Sequence, residues 1–271
     1  MHQATQRIAL VTGASSGIGQ ATAQHLAQAG YRVFGTSRRS AAQTISDVEM
    51  LVLDVTSDAS VEALVKEVLQ RAGRSDLLVN NAGFGVAPAA AEESSLAQAQ
   101  AIFDTNFFGM VRMTCAVAPQ MRAQGSGHII NIGSVLGFLP MPYMALYSAS
   151  KHAVAGYSEA LDHELRTLGV RVSVVEPAYI NTPFDANLMA PDAPLAAYRA
   201  ICEKVGQRVK DVLVGAEGPE LVARIIVKAA GARTPQLRYT PGRANGLRLL
   251  RRFAPAGMVD AGVRKDLRLE G

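Results

Sequence analysis

The chain has 271 residues, of which 49% are hydrophobic, and a net charge of +4. This length suits one large α/β domain, and the hydrophobic content excludes a largely disordered chain. From Arg233 onward there are nine Lys or Arg and three Asp or Glu, so this tail carries +6 and the remainder −2. The basic character therefore belongs to the tail and does not indicate a nucleic-acid-binding body.

Cysteine and histidine spacing gives no sign of a disulfide framework or a metal site. Cys115 and Cys202 belong to no CxxC or Cys/His cluster, and the five histidines lack metal-ligand spacing. The segment Met1–Leu10 also lacks the basic-then-apolar order of a signal peptide. We therefore expect a protein of the reducing cytoplasm with no bound metal.

Apolar runs alternate with helical patterns along the chain. The runs predict six strands, at Arg7–Val11, Tyr31–Thr36, Glu49–Leu53, Asp76–Val79, His128–Ile132 and Val170–Glu176. Helical patterns cover Gly17–Ala29, Val61–Arg71, Ser95–Arg122 and Tyr147–Leu168. This alternation predicts an α/β fold, a Rossmann-type doubly wound parallel sheet in a single domain. We assign residues 1–242 to that domain, with a helical substrate lid at about 183–217, and 243–271 to a basic tail.

The first strand ends in a glycine-rich turn that opens directly into a helix. Glycines let the backbone approach a phosphate, and free N–H groups at a helix start bind it. The turn therefore predicts a pyrophosphate site, formed by Gly13, Ser15, Ser16, Gly17, Ile18 and Gly19. The spacing is Gly-x-x-x-Gly-x-Gly, and the alternative is a turn with a purely geometric role.

Ser37, Arg38 and Arg39 follow the second strand, where an NAD enzyme usually carries a carboxylate. A guanidinium matches a 2′-phosphate, so these residues favour NADP(H) over NAD(H), with Arg38 ahead of Arg39. The alternative is two solvated arginines. After the third strand, Asp54 and Val55 are candidates for the adenine edge, although Asp54 also suits a turn or a cap.

Small residues follow the fourth strand, and a tyrosine–lysine pair follows the fifth. Asn81, Ala82 and Gly83 suit close packing against a cofactor, although such turns are common. Tyr147 and Lys151 stand at i and i+4 of one helix, thirteen residues after Ser134. An ammonium about 5 Å from a phenol lowers its pKa by roughly 2 from about 10, which brings it toward the range of a general acid/base.

Together these segments resemble the short-chain dehydrogenase/reductase superfamily over most of residues 5–240. The resemblance rests on Thr12–Gly19, Asn80–Gly83, Asn106 with Gly109, Ser134, Tyr147 with Lys151, and Pro177–Thr182. It implies a catalytic tetrad in which Tyr147 transfers the proton, Lys151 binds the nicotinamide ribose, Ser134 orients the carbonyl and Asn106 holds a relay water. It also implies that Pro177, Ile180 and Thr182 border the nicotinamide. Ala178 stands where the family often has glycine.

The substrate is expected to be lipophilic, because apolar residues lie between Ser134 and Tyr147 and in the lid segment. Leu136, Tyr143 and Phe184 are the candidate substrate contacts. Phe34–Arg38 and Glu176–Phe184 resemble members that act on hydroxysteroids, retinoids or other lipophilic carbonyls. The alternatives are a 3-oxoacyl-carrier-protein reductase-like enzyme and a non-catalytic NADP(H)-binding regulator.

Two further expectations concern contacts with other molecules. The tail Arg243–Arg252 mixes leucines with arginines, which predicts either a helix docked on the domain, the preferred interpretation, or one that touches a membrane surface. The two long helices are the usual pairing surface of the resembled family, which implies a homodimer or homotetramer.

Overall fold

The computed structural model describes residues 6–38, 45–184 and 188–269. These residues form one domain, a parallel sheet of seven strands in the order β3-β2-β1-β4-β5-β6-β7. The strands are β1 Ile8–Val11, β2 Arg32–Ser37, β3 Val48–Val52, β4 Leu77–Asn80, β5 Gly127–Ile132, β6 Val170–Val175 and β7 Arg238–Tyr239. The helices are α1 Gly17–Gln28, α2 Asp58–Ala72, α3 Leu96–Phe103, α4 Gly109–Gln124, α5 Ala145–Arg166, α6 Arg199–Val214, α7 Pro219–Gly231, α8 Ala244–Phe253 and α9 Ala256–Asp266.

The strand order reverses between β1 and β4, which are direct neighbours in the sheet. Parallel sheets of this kind bind ligands outside the carboxyl ends of their strands at such a reversal. The predicted doubly wound parallel sheet is confirmed, and its first six strands lie within one residue of their predicted bounds at each end.

Each face of the sheet carries its own hydrophobic core. On one face α2, α4 and α5 cover strand residues such as Leu10, Leu78 and Ile129. On the other face α1 and α7 cover residues such as Val11 and Val79. Alternate residues of β1 and β4 thus enter opposite cores, as the period of a strand requires. Burial on both faces explains why these strands are continuously apolar in the sequence.

The predicted long helix from Ser95 to Arg122 is interrupted at its centre. Residues Asp104–Phe108 form a π-helical turn, in which Gly109 N–H bonds to the carbonyl of Asp104 five residues earlier. This turn contains Asn106, whose side chain is buried and bonded to the chain after β4. The short strand β7 was not predicted, because two residues give no periodic signal.

The basic tail forms α8 and α9, which contact the rest of the domain. The Arg251 guanidinium donates to the carbonyl of Phe138 at 3.3 Å, and Arg208 of α6 pairs with Asp266 at 2.5 Å. Val259 and Leu267 are buried, whereas Phe253 is largely exposed. Within the described ranges, none of the helices has the length and apolar composition that a membrane crossing requires.

Candidate active site

A cleft of about 560 Å³ opens where the carboxyl ends of β1, β2, β4, β5 and β6 meet. Most of the residues singled out in the sequence line it. They are Gly13, Ser15, Ser16, Gly17, Ile18, Ser37, Arg38, Val55, Asn81, Ala82, Gly83, Ser134, Leu136, Tyr147, Lys151, Pro177, Ile180, Thr182 and Phe184. Residues distant in sequence are therefore brought to one site, as the parallel topology predicts.

Four candidate residues lie outside this lining, and a fifth cannot be placed. Gly19, Asp54 and Asn106 adjoin lining residues but do not line the cleft themselves. Tyr143 has a left-handed backbone, φ +63°, and its carbonyl accepts from Ala89 N–H at 2.9 Å. Tyr143 does not belong to the cleft lining. Arg39 lies outside the described residues.

The glycine-rich turn depends on the absence of side chains at three positions. Gly13 and Gly17 have left-handed φ values of +65° and +55°, which L side chains rarely adopt. A Cβ at Gly19 would stand 2.2 Å from the carbonyl oxygen of Gly13, so only glycine lets α1 begin this close to β1. A Cβ at Gly17 would stand 3.3 Å from the side chain of Thr182, so the segment after β6 approaches this turn.

A network around Thr12 and Asn81 fixes the turn from behind. The Asn81 amide donates to the carbonyls of Thr12 and Gly13, both at 3.0 Å. The Thr12 hydroxyl in turn accepts from the N–H groups of Asn81 and Ala82, at 2.9 and 3.0 Å. The Asn81 side chain therefore joins the ends of β1 and β4 at the wall of the cleft.

The Asp54 side chain stabilises a turn, which was the alternative to a role at the adenine edge. Its carboxylate accepts from the N–H and hydroxyl of Thr56, at 2.9 and 2.7 Å, and these bonds lower its pKa. The neighbouring Leu53 and Val55 line the cleft. Asp54 thus shapes the turn that presents them.

Asn106 holds the chain that follows β4. Its amide oxygen accepts from Phe84 N–H at 2.9 Å, and its amide nitrogen donates to the carbonyl of Phe84 at 2.8 Å. The side chain is buried in the π-helical turn and also lies 3.4 Å from the Ser150 hydroxyl. These bonds position Phe84, which lines the cleft. The relay role implied for Asn106 stays a prediction.

Ser134 follows β5 and caps a short turn. Its hydroxyl oxygen accepts from Leu136 N–H at 3.1 Å, which leaves the hydroxyl proton uncommitted by that bond. The next residue, Val135, donates its N–H to the carbonyl of Pro177 at 2.8 Å. The loops after β5 and β6 are thereby joined on either side of the cleft.

Tyr147 and Lys151 lie side by side on the first turns of α5. The Lys151 ammonium stands 5.6 Å from the centre of the Tyr147 ring and donates to the carbonyl of Ile132 at 2.9 Å. Lys151 is buried, and burial lowers its pKa from 10.5 to about 8. A cation on this lysine is therefore costly, although the lysine still carries most of its charge at neutral pH.

The end of the cleft beside Tyr147 has apolar walls. The Phe184 ring packs against the Tyr147 ring with centroids 5.9 Å apart. The other lining residues here include some that sequence reasoning did not select as substrate contacts, namely Phe84, Pro88, Tyr179, Leu188 and Val209. Tyr179 lies inside a motif that was recognised. Val209 carries no local signal, because it comes from α6, far along the chain.

The cleft shows a tyrosine, a lysine and a serine beside a glycine-rich helix start, and the comparisons with known proteins agree with it. A family model described as short chain dehydrogenase matches residues 7–193. The chain belongs to the short-chain dehydrogenase/reductase family. It is therefore an oxidoreductase with a nicotinamide-nucleotide-binding fold and a small-molecule substrate.

Curated relatives include two whose names state a substrate. 3-Ketodihydrosphingosine reductase from Bacteroides thetaiotaomicron is 47% identical over 184 residues, 67% of this chain and 66%, just under two thirds, of that protein. Retinol dehydrogenase 8 from Bos taurus is 34% identical over 93% of this chain and 87% of its own length.

Among solved structures, a short-chain dehydrogenase from Streptomyces avermitilis is similar with a TM-score of 0.77. It is 35% identical and the match covers 97% of this chain and 95% of that one. Similar structures also include one with NAD bound and one with NADP bound. The family fold thus accepts either dinucleotide.

Proposed function

We propose that this enzyme transfers hydride between NADP(H) and the carbonyl or alcohol carbon of a lipophilic substrate. The observation that carries the proposal is the arrangement of Tyr147, Lys151 and Ser134 at the apolar end of a cleft whose other end is the glycine-rich helix start.

The residues present fit a nicotinamide dinucleotide. The space beside the turn depends on Gly13, Gly17 and Gly19, each at a position where a side chain would be strained or would clash. The first N–H groups of α1 lack helical partners and would hold the pyrophosphate. When bound, the dinucleotide supplies or accepts the hydride.

The choice of NADP(H) rests on Arg38. This residue is exposed, lines the cleft directly after β2, and stands in the sequence Thr36-Ser-Arg-Arg-Ser, which has no carboxylate. Its guanidinium would bind a 2′-phosphate bidentately. Asp54, whose charge interacts with Arg38, is committed to Thr56. At the β2 end of the cleft, the 2′-phosphate of the cofactor would therefore face the Arg38 cation rather than an uncommitted carboxylate.

Proton transfer would be the work of Tyr147. In the reductive direction its hydroxyl gives a proton to the substrate oxygen as the carbonyl carbon is reduced, and Ser134 donates a hydrogen bond to the same oxygen. One N–H of the Lys151 ammonium bonds to the carbonyl of Ile132, and its other two N–H groups would donate to ribose hydroxyls. Its charge also stabilises the tyrosinate left after proton transfer.

A lipophilic substrate is supported by the walls and by the relatives. Leu136, Met141 and Phe184 face the cleft near Tyr147. The names of two relatives specify ketodihydrosphingosine and retinol, both largely apolar molecules. Location in the cytoplasm and homo-oligomer formation stay predictions.

The test is turnover of NADPH and NADH with a panel of ketones and aldehydes, from small polar compounds to long-chain and steroid-sized ones. The panel includes acetoacetyl-N-acetylcysteamine for the acyl-carrier alternative. We expect NADPH-dependent turnover of the lipophilic members, reduced by about 10²–10⁴-fold in Tyr147→Phe. Tight NADPH binding without turnover of any member would favour the regulator, and highest activity on the thioester would favour the carrier-protein reductase.

Arg38→Glu separates the cofactor choice from the chemistry. Loss of a charge-assisted bond to phosphate, with a carboxylate in its place, should raise the KM for NADPH by about 10-fold or more and leave the KM for NADH equal or lower. An unchanged ratio of the two KM values would show that Arg38 does not read the 2′-phosphate.

A further inference from the structure

A second cavity of about 510 Å³ adjoins the catalytic cleft beneath α6. Pro88, Leu188 and Val209 line both spaces, so the two meet at these three side chains. Neither Tyr147 nor any residue of the glycine-rich turn lines the second cavity. It is therefore a distinct space that opens from the substrate end of the cleft.

The catalytic cleft alone leaves little room for a large substrate. Much of its lining consists of the strand ends and the glycine-rich turn, where a dinucleotide would lie. Only the part near Leu136, Tyr179 and Phe184 remains for the substrate. A substrate with a long body must therefore extend beyond it, and the contact at Leu188 and Val209 leads into the second cavity.

The walls of the second cavity are mainly apolar and are held in place. Ala87, Pro191, Leu195 and Leu213 contribute apolar surface. The buried Glu93 carboxylate accepts from the N–H groups of Ala90 and Leu195, both at 2.8 Å, and lies 3.6 Å from the Cys202 sulfur. Those backbone bonds lower the pKa of Glu93 and tie its charge to the wall.

Exposed charged side chains of α6 lie along the second cavity. Arg199, Glu203 and Lys210 line it and are exposed, so the cavity is open to water along this face of α6. A substrate that extends from Tyr147 past Leu188 and Val209 would thus enter a space with apolar walls and a charged, exposed rim. A flexible chain can pass from one space to the other at the contact of Pro88, Leu188 and Val209 more readily than a rigid ring system.

We propose that the second cavity binds the distal part of a long, unbranched aliphatic substrate whose reacting carbonyl lies near one end. The proposal rests on the proposed function for its chemistry and adds the shape of the substrate. Compact polycyclic substrates would leave this cavity unused.

Gly206 provides a direct test. It lines the second cavity but not the cleft, and a Cβ there would meet no atom of the described residues within 4 Å. Gly206→Phe should therefore fill the cavity without strain in α6, and Gly206→Ala is the matched control. The substrates are methyl ketones from butan-2-one to heptadecan-2-one, reduced with NADPH.

We expect kcat/KM of the wild type to rise by up to about fourfold for each added methylene that enters the apolar space. In Gly206→Phe this rise should stop at shorter ketones, with butan-2-one turnover unchanged, whereas Gly206→Ala should follow the wild type. The proposal is overturned if the wild type shows no dependence on chain length or if Gly206→Phe retains it.

A binding measurement keeps this test separate from catalysis. Cys202 lines the second cavity, so in a Cys115→Ser background its alkylation by iodoacetamide reports occupancy. With NADP⁺ present, tridecan-2-one should slow alkylation several-fold and butan-2-one should not. Protection without turnover of any ketone would support the cavity assignment while the proposed function fails; equal alkylation rates would overturn the cavity assignment.

Discussion

The buried ammonium of Lys151 should lower the stability of the folded apoprotein. Burial lowers its pKa from 10.5 to about 8, which corresponds to roughly 3 kcal/mol against the charged form in the folded apoprotein. Lys151→Met removes that cost but also the bond to the carbonyl of Ile132, worth about 1 kcal/mol. We therefore expect the variant to be inactive yet about 2 kcal/mol more stable at pH 7.

The pH dependence identifies the cause. Between pH 8 and 10.5 the unfolded chain keeps a proton on Lys151 that the folded chain has released, so wild-type stability rises with pH there. The advantage of Lys151→Met should vanish across this window. Urea unfolding of both apoproteins at equal concentration measures the difference, with the exposed Lys66→Met as control. A variant less stable than the wild type at pH 7, or a difference that does not change with pH, would refute the reasoning.

Substitutions at three other positions should change either the stability of the fold or the affinity for NADPH. Burial holds the pKa of His128 at about 4, so its folded form resists protonation and wild-type stability should fall by about 2 kcal/mol between pH 7 and pH 5. Urea unfolding of His128→Gln should show a smaller fall, and an equal fall would contradict the assignment. Arg238→Met should cost about 3–5 kcal/mol in urea unfolding, because it leaves the buried carboxylate of Glu176 without its 2.5 Å partner. A loss below 1 kcal/mol would show that this pair is dispensable. Gly19→Ala should weaken NADPH binding, measured by fluorescence titration, by about 10-fold or more, because its Cβ would stand 2.2 Å from a backbone oxygen. Gly206→Ala, where the Cβ meets open space, is its control, and equal affinities would exclude the clash.

The framework of the site followed from sequence patterns, because its residues lie directly after strands. The bounds of β1, β4 and β6 were predicted to within one residue at each end, and parallel strands bring their carboxyl ends to one edge. The i and i+4 spacing likewise placed Tyr147 beside Lys151. Strand ends and helical spacing are local patterns, and each predicts a single arrangement of the residues.

What the sequence did not provide depends on tertiary contacts. Tyr143 lies outside the cleft lining and has a left-handed backbone, which no local pattern in the sequence indicates. The depressed pKa of Lys151 comes from burial by surrounding elements, which spacing on one helix does not report. Val209 reaches the cleft only because α6 crosses it.

The π-helical turn also restricts how the length of this part of the chain can vary. It holds one residue more than an α-helical turn, and each residue of a regular helix rotates the chain by about 100°. Deleting one residue there would straighten the helix but turn the preceding α3 away from the core that Ile102 enters, or withdraw Asn106 from Phe84. The active site therefore depends on the number of residues between α3 and α4 as well as on their identities.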